Sequence, residues 1–213
     1  TYQIMIKIVV IDKHPVIRVA FDLFFKEDSN ITLVKTLQNA SDAFDYLASN
    51  VVDVVITEID LPDLNGITAL RAIKKSYENT QVIMFSSQPE EVYAISTLKA
   101  GASGYINKGA DLNMVKDAIL KVNRGETYLS DSIAKHLIYN DTRNLLSSKF
   151  KKLSSREIEV LKLLSQGRKN KEIASELEIS EKTVSTYKTR LYKKMEVTNL
   201  VDLIHQTEHL QLT

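Results

Sequence analysis

Cysteine is absent from the 213 residues, which excludes disulfides and thiolate metal sites and fits a cytoplasmic protein. No apolar run approaches the roughly 18 residues of a membrane-crossing helix, and no signal peptide is visible. Internal repeats and low-complexity tracts are missing as well. The four histidines, His14, His136, His205 and His209, are scattered. His205 and His209 stand four apart, but no flanking carboxylate completes a metal site there. With 44% hydrophobic and 26% charged residues the composition is that of a folded chain, not a disordered one. Its length suits one large domain or two small ones.

The net charge of +1 conceals an asymmetry. Residues 149–213 carry 13 Lys/Arg against 9 Asp/Glu, whereas residues 1–148 carry 15 against 18. A basic C-terminal part behind an acidic N-terminal one points to nucleic acid as a partner of the second.

Through the first 125 residues short apolar runs alternate with longer amphipathic stretches. Ile6–Ile11, Ile31–Val34, Val52–Ile56, Val82–Phe85 and Gly104–Ile106 have the length and side chains of strands. Residues 15–27, 40–49, 66–77, 89–100 and 111–123 between them have helical periodicity. Five βα repeats with continuously apolar strands predict an α/β doubly wound, five-stranded parallel sheet. Chemistry in such sheets gathers at the carboxyl ends of the strands, and acids stand there: Asp12 after the first strand, Glu58 and Asp60 after the third.

After Gly125 the pattern changes. Residues 126–152 are polar, with one short helix over 131–139, and read as a linker. From Leu153 onward everything reads as helix. Ser154 and Glu157 form a capping box, and that helix stops at Gly167. Asn170 is expected to cap a second helix and Ser180 a third over 181–195. A fourth follows Asn199. The third helix is rich in cations (Lys182, Lys188, Arg190, Lys193 and Lys194), with no acid between 182 and 195. A helix, a tight turn and a basic helix suit a DNA major groove. A solvated charged helix packed on its neighbours is the plainer alternative.

Resemblance separates the two. Leu153 to Leu161, Gly167, Asn170 to Ala174, Leu177, Ile179-Ser180, Lys182 to Val184 and Lys194-Met195 together closely resemble the LuxR-type DNA-binding domain of NarL/FixJ response regulators. The resemblance implies that Ser185, Thr186 and Thr189 face bases and that Lys182, Lys188 and Lys193 meet phosphates, with Thr183 beside them at the helix start. Val184 and Leu191 would pack inward, and Tyr187 stands where many members carry histidine. Leu200, Val201, Leu203 and Ile204 would form the dimer contact.

The first 120 or so residues resemble a receiver domain. The landmarks are Ile11 to Pro15, Asp53 to Gly66, Ser86, and Ala100 to Lys108. An ordinary receiver has an aspartate acceptor, an acidic pair for Mg²⁺, a hydroxyl and a lysine that meet the phosphoryl group. Here the acceptor position is Glu58 and one acidic-pair position is Lys13. Asp12, Glu58 and the Asp60 carbonyl remain as oxygen donors, so Mg²⁺ binding is expected to be weak or absent and no cofactor is implied. Lys13 and Lys108 are expected to pair with Asp12 and Glu58. Ser86 and Tyr105, the family's switch positions, keep their type, and glycine rather than proline follows Lys108.

Three readings of this pocket stay open: Glu58 imitates the phosphorylated state, the domain is a differently regulated dimerisation platform, or phosphotransfer moves to Asp60 or Asp63. The expected organisation is a receiver-like, flavodoxin-like domain over 5–124, a linker over 125–152 and an all-α, four-helix helix-turn-helix domain over 153–213. The expected function is a cytoplasmic, dimeric, DNA-binding transcription regulator of the response-regulator type. It is not an enzyme, it binds double-stranded DNA and not membrane, and whether a histidine kinase controls it stays open. The rivals are a stand-alone phosphotransfer module, a phosphorylation-dependent regulator using another acid, and an interaction protein that no longer binds DNA.

Overall fold

A computed structural model describes residues 5–131, 133–134, 149 and 152–208. The chain forms two compact units, residues 1–87 with 100–131, and residues 88–99 with 132–213. The greater part of the expected short helix over 131–139, with His136 and His209, lies outside the described residues.

In the first unit, strands β1 (Ile6–Ile11), β2 (Ile31–Leu37), β3 (Val54–Thr57), β4 (Gln81–Ser86) and β5 (Gly104–Asn107) form one parallel sheet in the order β2-β1-β3-β4-β5. β3 is buried at all four positions, as the unbroken run of β-branched residues requires of a strand covered on both faces. Helices α1 (Pro15–Phe25), α2 (Ala40–Leu47) and α3 (Gly66–Ser76) connect successive strands from β1 to β4, and α5 (Leu112–Asn123) follows β5. One core, on Ile8, Val10, Phe21, Val54, Ile56, Ile83 and Phe85, joins β1, β3 and β4 to α1 and to Val115, Ala118 and Ile119 of α5.

Several boundaries differ from expectation; β2 runs on to Leu37 rather than ending at Val34, because its pairing with β1 continues to Ile11↔Leu37. β3 begins at Val54 rather than Val52, because pairing with β1 opens at Ile8↔Val54 and Asp53 is spent on the Lys7 amide through its carboxylate (2.7 Å). Residues 126–128, expected as linker, continue the first unit: Tyr128 bridges Gly104 in parallel, donating to the Ser103 carbonyl (2.9 Å). A Cβ on Gly104 would come within 3.1 Å of Tyr128, so the approach uses the glycine.

The second unit holds α4 (Glu90–Lys99), α6 (Ser155–Ser165), α7 (Asn170–Glu176), α8 (Glu181–Met195) and α9 (Leu200–Glu208). α4 packs on α6, where the Ser155 hydroxyl donates to the Ser96 carbonyl (2.6 Å). Leu161, Leu164, Ile173, Val184, Leu191, Met195 and Leu203 form the buried interior of α6 to α9. The capping box is present: Ser154 accepts from the Glu157 amide and its own amide donates to the Glu157 carboxylate (2.7 Å). At α7 the cap is Lys169, with Asn170 already the first helical residue, because Glu172 accepts from the Lys169 amide (2.7 Å). Ser180 caps α8, accepting from the Thr183 amide (3.1 Å). No helix among the described residues is long and apolar enough to cross a membrane.

Candidate functional site

The parallel sheet brings the ends of β1, β3, β4 and β5 to one edge, which delivers Asp12, Glu58, Ser86 and Lys108 to one place. Backbone bonds fix these ends: the Glu58 amide donates to the Ile11 carbonyl (3.0 Å) and the Lys108 amide to the Ser86 carbonyl (2.9 Å). Gly66 lets the loop after β3 return close by, since a Cβ there would lie 1.9 Å from the Glu58 carbonyl oxygen.

Glu58 is 2% exposed and every oxygen of its carboxylate is engaged. Its Oε1 accepts from the Ile59 amide (2.6 Å), the Asp60 amide (3.3 Å) and the Ser86 hydroxyl, and its Oε2 pairs with Lys108 Nζ (2.5 Å). The same ammonium pairs with Asp12 Oδ2 (2.6 Å). Asp12 Oδ1 accepts from the His14 amide (2.8 Å) and lies 2.9 Å from His14 Nδ1, while Arg18 donates to the Asp12 carbonyl (2.6 Å).

Lys108 thus bridges both buried acids, whereas Lys13, expected to share that work, is exposed. Tyr105 is fully buried on β5. Asp60 is half-buried. Asp63 is committed elsewhere, accepting from the Ala40 and Ser41 amides (3.0 and 2.9 Å) and the Ser41 hydroxyl (2.7 Å) at the start of α2. Burial raises its pKa, but these three donors outweigh that and hold it below the ordinary carboxylate value.

His14 and Arg18 were not anticipated as pocket residues. The sequence signal for His14 is local: an aspartate two residues upstream, followed by a proline at the first helical position, favours an Asx turn.

Receivers generally hold Mg²⁺, and the residues here do not fit it. Asp12, His14 and Glu58 each offer a ligand atom within 4.8 Å of one another. One of these is an imidazole nitrogen, whereas Mg²⁺ selects oxygens in near-octahedral array. The Lys108 ammonium already pairs with both carboxylates.

In the second unit α8 presents a second candidate surface. Side chains advance about 100° per residue along a helix, which puts Val184, Leu191 and Met195 on one face and Lys182, Ser185, Thr186, Thr189 and Lys193 on the other. The first set is buried and the second exposed. Thr183 is half-buried, its hydroxyl 2.8 Å from that of Ser180. Lys188 stands on the flank, its Nζ 5.9 Å from the Tyr192 ring centroid, and Arg190 lies 5.9 Å from the Tyr187 centroid. Lys194 serves the fold, since its ammonium binds the Glu157 carboxylate (2.7 Å) and the Lys152 carbonyl (3.0 Å). On α9, Val201 is 62% exposed, Leu200 and Ile204 are half-buried, and Leu203 is fully buried in its own unit.

Two family profiles match: the response regulator receiver domain over residues 8–120, and the bacterial regulatory proteins of the luxR family over residues 151–207. The Fimbriae Z protein of Salmonella typhimurium is 33% identical over 205 residues, 96% of this chain and 97% of its own. The response regulator UvrY of Escherichia coli is 30% identical over 202 residues, 94% of this chain and 93% of its own. RcsB from Salmonella enterica serovar Typhimurium, solved on promoter rprA with phosphomimetic BeF3−, shares the fold: its TM-score is 0.78 at 21% identity, over 95% of this chain and 98% of that one. The chain belongs to the NarL/FixJ-family response regulators, transcription regulators in which a receiver domain is joined to a LuxR-type DNA-binding domain.

Proposed function

We propose that this chain regulates transcription as a DNA-bound homodimer whose DNA-competent form does not depend on aspartyl phosphorylation. The observation that carries the second half is Glu58. Its carboxylate, one methylene longer than an aspartate's, reaches the Ser86 hydroxyl and the Lys108 ammonium. In a receiver those two groups meet the phosphoryl oxygens, so Glu58 supplies a fixed negative charge to the partners that phosphorylation would otherwise engage. That favours the imitation of the phosphorylated state over an inert platform. Relocated chemistry on Asp63 is disfavoured, because a nucleophile whose lone pairs cap a helix is not available for attack.

DNA is met by α8. Thr186 and Thr189 face base edges with Ser185 and Thr183 at their flank, while Lys182, Lys188 and Lys193 neutralise phosphates. A homodimer would place two such helices in successive major grooves, with the contact on the exposed part of α9 around Val201, Leu200 and Ile204. Leu203 supports that surface from inside. RcsB, of the same fold, is solved on a promoter with a phosphomimetic present. The reading requires no turnover and no Mg²⁺.

Three measurements on the full chain test it. Acetyl phosphate carrying labelled phosphate should leave no label on the protein, and a beryllium fluoride analogue should leave its oligomeric state unchanged. Glu58→Ala should weaken both DNA affinity and dimerisation. If Glu58→Ala changes neither, the imitation of phosphorylation is wrong and the inert platform replaces it. Uptake of label on an acid of this pocket would overturn both.

A further inference from the structure

The hydroxyls on the exposed face of α8 are already spent as donors. Ser185 Oγ donates to the Glu181 carbonyl (3.0 Å), Thr186 Oγ1 to the Lys182 carbonyl (2.9 Å) and Thr189 Oγ1 to the Ser185 carbonyl (3.1 Å). Each bond runs back one turn to a carbonyl that is part of the helix, so the hydroxyl hydrogen points along the helix and not out of it. Ser185 Oγ is used further, accepting from Asn170 Nδ2 across the turn (3.2 Å). Ser185 therefore ties the start of α7 to α8. The two threonines, by contrast, keep one unengaged branch each, the γ-methyl, beside an oxygen that can only accept.

Thr186 and Thr189 stand three positions apart, within about 60° of each other around the helix axis, and both are exposed. Lys182 and Lys193 bracket them on the same stripe. The strip between the two cations thus offers two methyls and two acceptors and no free side-chain donor from these hydroxyls. In the major groove, guanine asks for donors at its N7 and O6, whereas thymine alone offers a methyl and adenine and cytosine offer amino hydrogens. We infer that Thr186 and Thr189 read thymine through its 5-methyl group, so that the half-site recognised by this chain contains at least one thymine whose methyl is required. This rests on the proposed reading of α8 as the DNA-contacting helix.

The probe is a duplex selected by the full-length protein from a randomised pool. Each thymine of that duplex is then replaced in turn by deoxyuridine, which keeps the pairing and removes only the methyl. At one or two positions per half-site the replacement should weaken binding about fourfold, the worth of one buried methyl-sized group. Thr186→Ser and Thr189→Ser keep the hydroxyl and its carbonyl bond but lose the γ-methyl. At least one of them should abolish the difference between thymine and uracil at a single position, and the matching Val variant should preserve it. Indifference of the unaltered protein to every deoxyuridine replacement overturns the inference. So does discrimination that survives in both serine variants. Failure to bind any duplex at low salt overturns the DNA-contacting role of α8 itself, whereas salt-sensitive binding with no methyl dependence overturns only the thymine reading.

Discussion

Lys108 holds two buried carboxylates with one ammonium, and the energetics of the pocket follow from that count. Removing the one cation that, among the described residues, touches both Asp12 Oδ2 and Glu58 Oε2 leaves two like charges facing each other in a poorly solvated place. Breaking a buried pair by deleting one partner costs about 3–5 kcal/mol, because the other charge is stranded. Lys108→Met is therefore expected to lower the stability measured by urea denaturation by about that much. Adding Glu58→Gln should recover part of the loss, giving a favourable coupling in the double-mutant cycle. A Lys108→Met protein as stable as the parent would mean that Arg18 and solvent already balance the acids. Asp12 and Glu58 were readable from the sequence as acids that follow apolar strands of a parallel sheet, and Ser86 and Lys108 from the resemblance to a receiver. The choice between the two lysines was not. Lys13 and Asp12 are neighbours in the chain, yet successive residues leave a strand end in different directions, and only the crossing from β5 brings an ammonium between the two carboxylates.

At the level of elements, α6 and α8 are joined by a charge as well as by packing. The Glu157 carboxylate closes the capping box at the start of α6 and also receives Lys194 from the end of α8. Burial pushes its pKa up, but the Lys194 ammonium and the Ser154 amide and hydroxyl outweigh that and hold it below the ordinary value of 4.5. A depressed carboxylate contributes stability that is present above its unfolded value and is lost as pH falls through its folded value. The gap in unfolding free energy, from urea denaturation, between the parent and Glu157→Gln should thus be constant near neutral pH, at about 1 kcal/mol for a weakened cap. It should shrink once the pH drops below 4.5 and the folded value is passed. A gap independent of pH would show that Glu157 acts by shape alone. This box was legible from Ser154 and Glu157 because capping is local in sequence. The α7 cap was misplaced by one residue for the converse reason: Asn170 is a good capping residue by type, but Glu172 takes the Lys169 amide and Asn170 turns instead to Ser185. On α8 the division between base and phosphate contacts makes its own test. Thr186→Ala should change preference at one base position by about 0.8 kcal/mol, the worth of its methyl, whereas Lys188→Ala should weaken all duplexes alike and reduce the salt slope by about one unit. A changed sequence preference with an intact slope for Lys188→Ala would reverse those assignments.

For the whole molecule the question is whether the state of one unit's pocket governs what the other unit's helix does. An effector moves an equilibrium only by the difference in its affinity for the two states. In an ordinary response regulator that effector is a phosphoryl group on an aspartate, and the protein without it is the weaker DNA binder. On the proposed reading Glu58 stands in for that phosphoryl charge and takes the acceptor's place, while Lys13 takes the place of a carboxylate ligand of the metal. The two substitutions are therefore expected to act together, and reverting one alone should restore little: Glu58→Asp by itself still lacks the second acid, and Lys13→Asp by itself still lacks the acceptor. Glu58→Asp with Lys13→Asp should bind Mg²⁺ and take up phosphate from acetyl phosphate. Its DNA affinity should then fall below that of the parent when unphosphorylated and rise toward it on phosphorylation. The parent, titrated with Mg²⁺ while amide NMR shifts around Asp12 are followed, should not saturate below about a millimolar, an affinity worth roughly 4 kcal/mol. The same duplex, salt and protein concentration serve for every comparison, because phosphate-driven DNA affinity changes steeply with salt. If the doubly reverted protein takes up phosphate and its DNA affinity stays flat throughout, the pocket and the helix are uncoupled in this chain, and Glu58 has no regulatory consequence for DNA binding.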